Sequence, residues 1–258
     1  MTSTHVHFMS QVIQVRLRAS GQTWSGNMAL SEDLSAQVKI ILRDHWEATA
    51  GRVVPAPADV GLGNKAVEFE SATVLYADLD GSTTMVDKLS WQFSAEVYKV
   101  FLHCAAKIIK DQGGVITAYD GDRVMAVFIG ERKNSRATLC ALKIHGAVVN
   151  ILRPAIAAQY PTSDFLLKHV VGVDTSSIRA ARTGVRGDND LVWVGRAANY
   201  AAKLTTLSSD TPTWITGEVF DALAPDVKEY DGKAVWKEMV WNAMNKHRIF
   251  CSSWRWGV

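Results

Sequence analysis

Residues 71–84 read S-A-T-V-L-Y-A-D-L-D-G-S-T-T. The run Thr73, Val74, Leu75, Tyr76, Ala77 is apolar and partly β-branched, and a Gly-Ser-Thr-Thr cluster follows, the pattern of a buried strand ending in a tight turn. Asp78 and Asp80 fall where that strand ends. Beyond them Ser82, Met85, Val86 and Leu89 set a helical period, with Ser82 or Thr83 placed to cap it. The stretch therefore predicts carboxylates beside a helix N-terminus. Backbone N–H groups at a helix start hold phosphate oxygens, while carboxylates hold Mg²⁺ or Mn²⁺ that bridges the same phosphates. Solvated aspartates capping a strand end look the same in sequence, so a second element has to decide between the two readings.

That element lies downstream. A helical stretch over 82–112, broken near Ser90, is stopped by Gly113-Gly114. The segment V-I-T-A-Y-D-G-D-R-V-M-A-V-F then alternates as two strands joined at Asp120-Gly121, a dipeptide suited to a type I′ turn. A long amphipathic helix over 136–159 ends at Pro161, strands are expected over 168–174, 178–184 and 190–194, and residues 195–207 are helical. The order β-α-β-β-α-β is that of an α+β, ferredoxin-like (split βαβ) domain. In such a sheet the first strand lies beside the hairpin, which places Asp122, at the start of the second hairpin strand, next to Asp78. Two carboxylates on neighbouring strands beside a phosphate-binding helix start are the donor set of two-metal phosphoryl transfer.

On the N-terminal side, Leu34, Val38, Ile41, Leu42 and Trp46 recur at helical spacing over 30–46. Residues 51–65, G-R-V-V-P-A-P-A-D-V-G-L-G-N-K, are rich in Pro and Gly and read as a strap. Residues up to about 25 carry no sustained period, and a strand-like or poorly ordered start is expected there. The chain thus divides into an N-terminal extension, 1–66, and a catalytic domain, 67–258. Of its 258 residues 48% are hydrophobic, enough for a sizeable core. A net charge of +2 with no Lys/Arg block argues against nucleic acid as a partner. No long uncharged apolar run argues for a membrane span, so a cytoplasmic location is expected. The three cysteines, Cys104, Cys140 and Cys251, are far apart and read as buried thiols. The seven histidines show no zinc-ligand spacing.

The residues quoted so far carry a family resemblance. Y-A-D-L-D-G-S-T resembles the first metal-binding motif of class III nucleotidyl cyclases, and G-G-V-I-T-A-Y-D-G-D-R-V-M-A-V-F resembles their second. V-G-R-A-A-N-Y-A-A-K-L is similar to the helix that these enzymes contribute to the opposite active site of a homodimer. The resemblance implies two Mn²⁺ or Mg²⁺ ions per active site, with Asp78, Asp122 and the backbone carbonyl of Leu79 as ligands. It implies a triphosphate cradle of N–H groups at Gly81, Ser82, Thr83 and Thr84. Asn199 would orient the ribose, and Lys203 stands where the family carries its transition-state arginine. Lysine supplies a point charge where arginine supplies a bidentate fork. Arg196 is the other candidate for that task.

The base pocket departs from the purine enzymes of the class. Their base-reading polar residues would fall at Ala118 and Val192, neither of which can hydrogen-bond a purine edge. Tyr119 and Trp193 flank those positions and could stack on a smaller ring. The chain is similar above all to the pyrimidine cyclases of bacterial Pycsar anti-phage systems, on the stretches G-R-V-V-P-A-P-A-D-V-G-L-G-N, A-T-V-L-Y-A-D-L, R-T-G-V-R-G-D-N-D-L-V-W-V-G and S-S-W-R-W. That likeness implies UTP or CTP as substrate and a cyclic pyrimidine nucleotide as product, read by a separate cyclic-nucleotide-binding effector. The other basic residues, Arg179, Arg182, Arg186, Lys246, His247 and Arg248, read more simply as solvated faces than as phosphate ligands.

Overall fold

The computed structural model describes residues 28–258, and the expectation for the first 25 residues lies outside them. By contacts the chain forms two compact units, one ending at Trp46 and one spanning Glu47–Val258. The first contains helix α1 (Met28–Arg43), slightly upstream of its expected span. The second opens with strand β1 (Glu47–Ala50), which pairs in parallel with the start of β2 (Lys65–Asp80). Between them the Pro/Gly-rich strap is pinned to the second unit. The Gly51 N–H bonds the Glu68 carbonyl at 2.7 Å, Val60 is buried, and Arg182 donates to the Val60 carbonyl at 3.3 Å.

The core of the unit runs β2, α2 (Ser82–Lys88), α3 (Trp91–Asp111), β3 (Val115–Asp120), β4 (Arg123–Phe128), α4 (Lys133–Ala147), a π turn over Val148–Leu152, α5 (Arg153–Gln159) and β5 (Lys168–Val185). Their sheet order is β5-β2-β4-β3, the antiparallel arrangement expected of a split βαβ domain. The break near Ser90 is real: Ser90 caps α3 by accepting a hydrogen bond from the Phe93 N–H at 3.3 Å. After β5 come β6 (Asp188–Val194), α6 (Arg196–Leu204), β7 (Thr213–Thr216), α7 (Gly217–Asp221), α8 (Pro225–Lys228), the short pair β8 (Glu229–Tyr230) and β9 (Lys233–Ala234), β10 (Lys237–Trp241) and β11 (His247–Ser252). Strands β7, β11 and β10 extend the sheet beyond β5.

Three local expectations are corrected. The two strands read over 168–174 and 178–184 are one 18-residue strand, because Ser176-Ser177 continues the ladder and a bulge in β2 between Phe69 and Ala72 absorbs the bend. The hairpin closes on the pair Asp120 and Arg123, so its loop is Gly121-Asp122. Gly121 has φ +61° whereas Asp122 does not take a positive φ, which is the pattern of a type II′ turn rather than I′. Asp122 therefore sits in the turn and not in the strand. The N-cap of α2 is Gly81, with φ +76°, and no side chain caps that helix.

Helices α3, α4 and α5 cover one face of the sheet, over a core that includes Leu75, Ala77, Leu79, Phe101, Phe128 and Leu142. Helix α6 covers the other face, over Val74, Met125, Ile178 and Trp193. The helical stretch Lys133–Gln159 is long and apolar enough to cross a membrane by composition, but over half of it is buried inside the domain. Cys140 and Cys251 are buried, Cys104 is half-buried, and all three are free thiols.

Candidate active site

Strand alternation decides which face of β2 carries the chemistry. Leu75, Ala77 and Leu79 point into the α3–α5 core, while Val74 and Tyr76 point to the α6 side, and Asp78 shares their phase. The last paired rung between β2 and β4 is Ala77 with Val124, so Asp78 and the turn residue Asp122 meet just beyond the ladder. Burial first, and then the charge of Asp122, push the Asp78 carboxyl up to about 6, against the pull of Arg123 and of a hydrogen bond from Thr205. The Thr205 hydroxyl, at the C-terminal end of α6, reaches Asp78 Oδ2 at 3.3 Å and also donates to the Ala202 carbonyl at 2.8 Å. Asp122 Oδ2 is buried and has no hydrogen-bond partner.

Two carboxylates held together, one with an orphaned buried oxygen, are an incomplete arrangement that a divalent cation completes. Among the described residues no group of three or more His, Cys, Asp or Glu side chains gathers. The remaining donors would have to come from a backbone carbonyl such as that of Leu79, from water, or from a phosphate. Beside the aspartates, Gly81 turns the chain so that the N–H groups of Ser82, Thr83 and Thr84 open α2 without a side-chain cap. The small cleft at this turn is lined by Leu79, Asp80, Gly81, Ser82, Met85, Phe165 and Lys168. Lys168 stands opposite Asp80 in the β2–β5 register, and Ser209 donates to Asp80 Oδ2 at 2.6 Å.

Lys168, Thr205 and Ser209 had no signal in the sequence, because each reaches the turn only through pairing of distant segments. Asn199 and Lys203 lie one turn apart on α6 and are both exposed. Lys203 Nζ rests 3.8 Å from Met244 Sδ. Among the described hydrogen bonds neither joins Asp78 or Asp122. Arg196 is committed elsewhere, to Asp174 and Glu218. Its guanidinium is not free to meet a phosphate.

The four residues expected at the base separate between the two sides of the sheet. A β-bulge between Ile116 and Ala118 interrupts the alternation of β3. As a result Ile116 packs with the helical core, whereas Ala118 turns to the α6 side, where Trp193 is also buried. Tyr119 and Val192, their chain neighbours, are exposed. Of the remaining basic residues, Arg179 pairs with Glu68, Arg248 with Asp221, and His247 with Glu218, while Arg182 donates to Asn189.

No family model matches the chain. A curated relative from Burkholderia cepacia, a uridylate cyclase, is 54% identical over 232 residues, 90% of this chain and 100% of the relative. The chain belongs to the uridylate cyclase family. It is a nucleotidyl cyclase, and solved structures agree in fold. The crystal structure of the guanylyl cyclase Cya2 aligns at a TM-score of 0.61 and 16% identity, covering 72% of this chain and 91% of that one. The dimeric guanylyl cyclase domain of the RhoGC fusion protein from the aquatic fungus Blastocladiella emersonii aligns at 0.53 and 14%, covering 72% and 97%. The fold is accordingly that of the class III cyclase homology domain.

Proposed function

We propose that the protein converts UTP to 3′,5′-cyclic UMP and pyrophosphate. The observation that carries this reading is the pair Asp78 and Asp122, brought together near an arginine, Arg123, that is itself paired with Asp120, beside the open N-terminus of α2, in a chain with a close uridylate cyclase relative. The two carboxylates, with the Leu79 carbonyl, would hold two divalent ions, Mn²⁺ or Mg²⁺. Bound there, such ions supply charge neutralisation on the triphosphate and acidify the ribose 3′-OH.

The chain's own residues do the rest. The N–H groups of Gly81, Ser82, Thr83 and Thr84 bind the triphosphate, helped by the positive end of α2. Asn199 orients the ribose so that the 3′ oxygen stands in line with the α-phosphorus. A new 3′ O–P bond forms as the bond from the α-phosphorus to the bridging oxygen breaks. The 3′ proton passes to solvent, and pyrophosphate leaves with the bridging electrons. Lys203 neutralises the charge that gathers on the leaving group. Ala118 and Trp193 lie on the side of the sheet that carries the aspartates; Ala118 offers no polar group and Trp193 only its unpartnered indole N–H, so the polar pair expected to read a purine edge is absent, which suits a pyrimidine.

Asn199 and Lys203 are exposed and unattached to the aspartates of their own chain. The reading therefore includes a head-to-tail homodimer in which each α6 completes the partner's site, as in the class the chain resembles. A cytoplasmic location, and a role for cyclic UMP as an anti-phage signal read by a separate effector, follow from the same resemblance.

Three variants test the assignment. Asp122→Ala is expected to remove turnover of UTP, with circular dichroism and melting unchanged or improved; retained turnover overturns it. Asp78→Ala, inactive alone, and Asn199→Ala, left with a small residual turnover, are expected to give more activity when mixed than either alone, since a heterodimer assembles one intact site. No recovery in a mixture shown to exchange subunits contradicts the shared site.

A further inference from the structure

Asp174 is wholly buried in the middle of β5, where an unpaired carboxylate would be costly. It is compensated from two directions. The Thr216 hydroxyl donates to Oδ1 at 2.5 Å, and Arg196 Nη2 reaches the same oxygen at 3.2 Å. Arg196 Nε lies 3.2 Å from Oδ2 but off the line of a hydrogen bond, so the attraction there is charge on charge. The same Nη2 donates to the Thr175 carbonyl at 2.7 Å. On its other arm Arg196 pairs with Glu218, whose second oxygen lies 3.0 Å from His247 Nε2. The guanidinium stands 5.4 Å from the centre of the Tyr200 ring, and Tyr200 meets His247 and Trp241 edge-on at 5.2 and 5.7 Å. Strand β5 and helices α6 and α7 thus meet on the Arg196 side chain, and strands β10 and β11 join through Tyr200 and Glu218.

Helix α6 needs such a fixture. It has only nine residues, and its buried stripe is mostly alanine: Ala197, Ala198 and Ala201, with Leu204 at its end. Small side chains let the helix lie close, and a Cβ at Gly172 would stand 2.2 Å from the Ala201 carbonyl. They give little purchase against rotation about the helix axis. Arg196 opens the helix, and Asn199 and Lys203 follow at i+3 and i+7, on the same side.

We propose that Arg196 is a positioning residue, locked between Asp174 and Glu218 so that α6 presents Asn199 and Lys203 at the angle catalysis requires. The proposal rests on the reading of α6 as the ribose and leaving-group helix. Arginine is needed because its fork serves two carboxylates and a carbonyl at once, which the single ammonium of lysine cannot.

The test measures kcat and KM for UTP with Mn²⁺ in Arg196→Lys, Asn199→Ala and the double variant, each with its melting curve. Arg196→Lys is expected to melt close to the parent and keep its KM, while kcat falls by about 100-fold, the cost of a misplacement on the order of 1 Å. In the Asn199→Ala background the same change is expected to cost no more than about twofold, because the group it positions is gone. An unchanged kcat in folded Arg196→Lys overturns the proposal, as do losses that multiply independently in the double variant. Should Arg196→Lys not fold, Glu218→Gln loosens the clamp from its outer side, and the same split between kcat and KM is expected; its absence counts equally against the proposal. Parent-like turnover in Asn199→Ala alone would instead remove α6 from the active site, and the proposal would fall with that reading.

Discussion

Two acidic centres of this molecule lie on the same side of its sheet and have opposite constructions. Asp174 is sealed from solvent and its charge is answered within the chain, one oxygen by the Thr216 hydroxyl and Arg196 Nη2 and the other, which accepts no hydrogen bond, by the Arg196 charge alone, with Glu218 and His247 behind. Asp78 and Asp122 are brought together with a weak Thr205 hydroxyl bond and a Leu79 backbone bond to Asp78, with Arg123 nearby but paired with Asp120, and one Asp122 oxygen accepts no hydrogen bond. Folding tolerates a buried carboxylate when its charge is answered inside the chain, as at Asp174. A pair at a strand end, answered only by an arginine shared with Asp120 and next to open N–H groups, keeps a repulsion that a cation from outside would relieve. On the proposals above, the first centre holds the helix in place and the second would take a cation.

The comparison predicts effects of opposite sign. Asp174→Asn leaves Arg196, about a third exposed and still paired with Glu218, facing a neutral group and is expected to lower stability by about 2 kcal/mol, measured by urea denaturation. A loss under about 1 kcal/mol would mean that the pair is not the anchor described here. Asp122→Asn is expected to raise the melting temperature of the metal-free protein by a few degrees, since it removes a like charge from Asp78 at a cost only to function. A lowered melting temperature would show that Asp122 has a partner after all.

A smaller effect comes from the core between α4 and β5, where the His145 and His169 rings meet, tilted, at 5.4 Å between centres. Burial, with the charges of Arg153 and Arg255, holds His145 down to about 4, and burial with the nearness of His145 holds His169 to about 3, against an ordinary 6.5. Both are neutral in the folded protein, whereas the unfolded chain takes up protons as pH falls below about 6.5. Stability is therefore expected to fall from pH 6.5 towards pH 4, by up to about 1.4 kcal/mol per pH unit for each histidine. Because the raised carboxyls of Asp78 and Asp174 take up protons in the folded state and oppose this fall, the check is the difference in denaturation midpoint between the parent and His169→Gln at pH 7, 6 and 5, and a difference that does not change with pH would contradict the neutral pair. The smallest effect is expected at the exposed pair Arg179 and Glu68, where Arg179→Ala should change stability by less than about 1 kcal/mol.

The architecture was legible because each of its signals is local. The apolar run before Asp78, the double glycine after α3 and the hairpin at Gly121 were enough to order the elements. The site was legible in part. Asp78 and Asp122 meet as the topology requires, but the turn type was misread, since a closing pair at Asp120 and Arg123 cannot be seen from a dipeptide. The bulge at Thr117, which turns Ala118 away from its neighbours' face, depends on how β3 meets β4 and leaves no mark on composition. The clamp around Arg196 joins positions 174, 196, 218 and 247, and no period in the sequence connects them. Thr205 and Lys168 reach the site for the same long-range reason.

The central claim is tested most directly by incubating the purified protein with Mn²⁺ and each of the four ribonucleoside triphosphates in turn, and weighing the products. Cyclic UMP from UTP, with pyrophosphate released in equal amount and none from ATP or GTP, is the expected result. Cyclic AMP or cyclic GMP would contradict the apolar base pocket at Ala118 and Trp193, cyclic CMP alone would contradict the choice of base, and no product from any of the four would contradict the assignment of Asp78 and Asp122 as a working metal site.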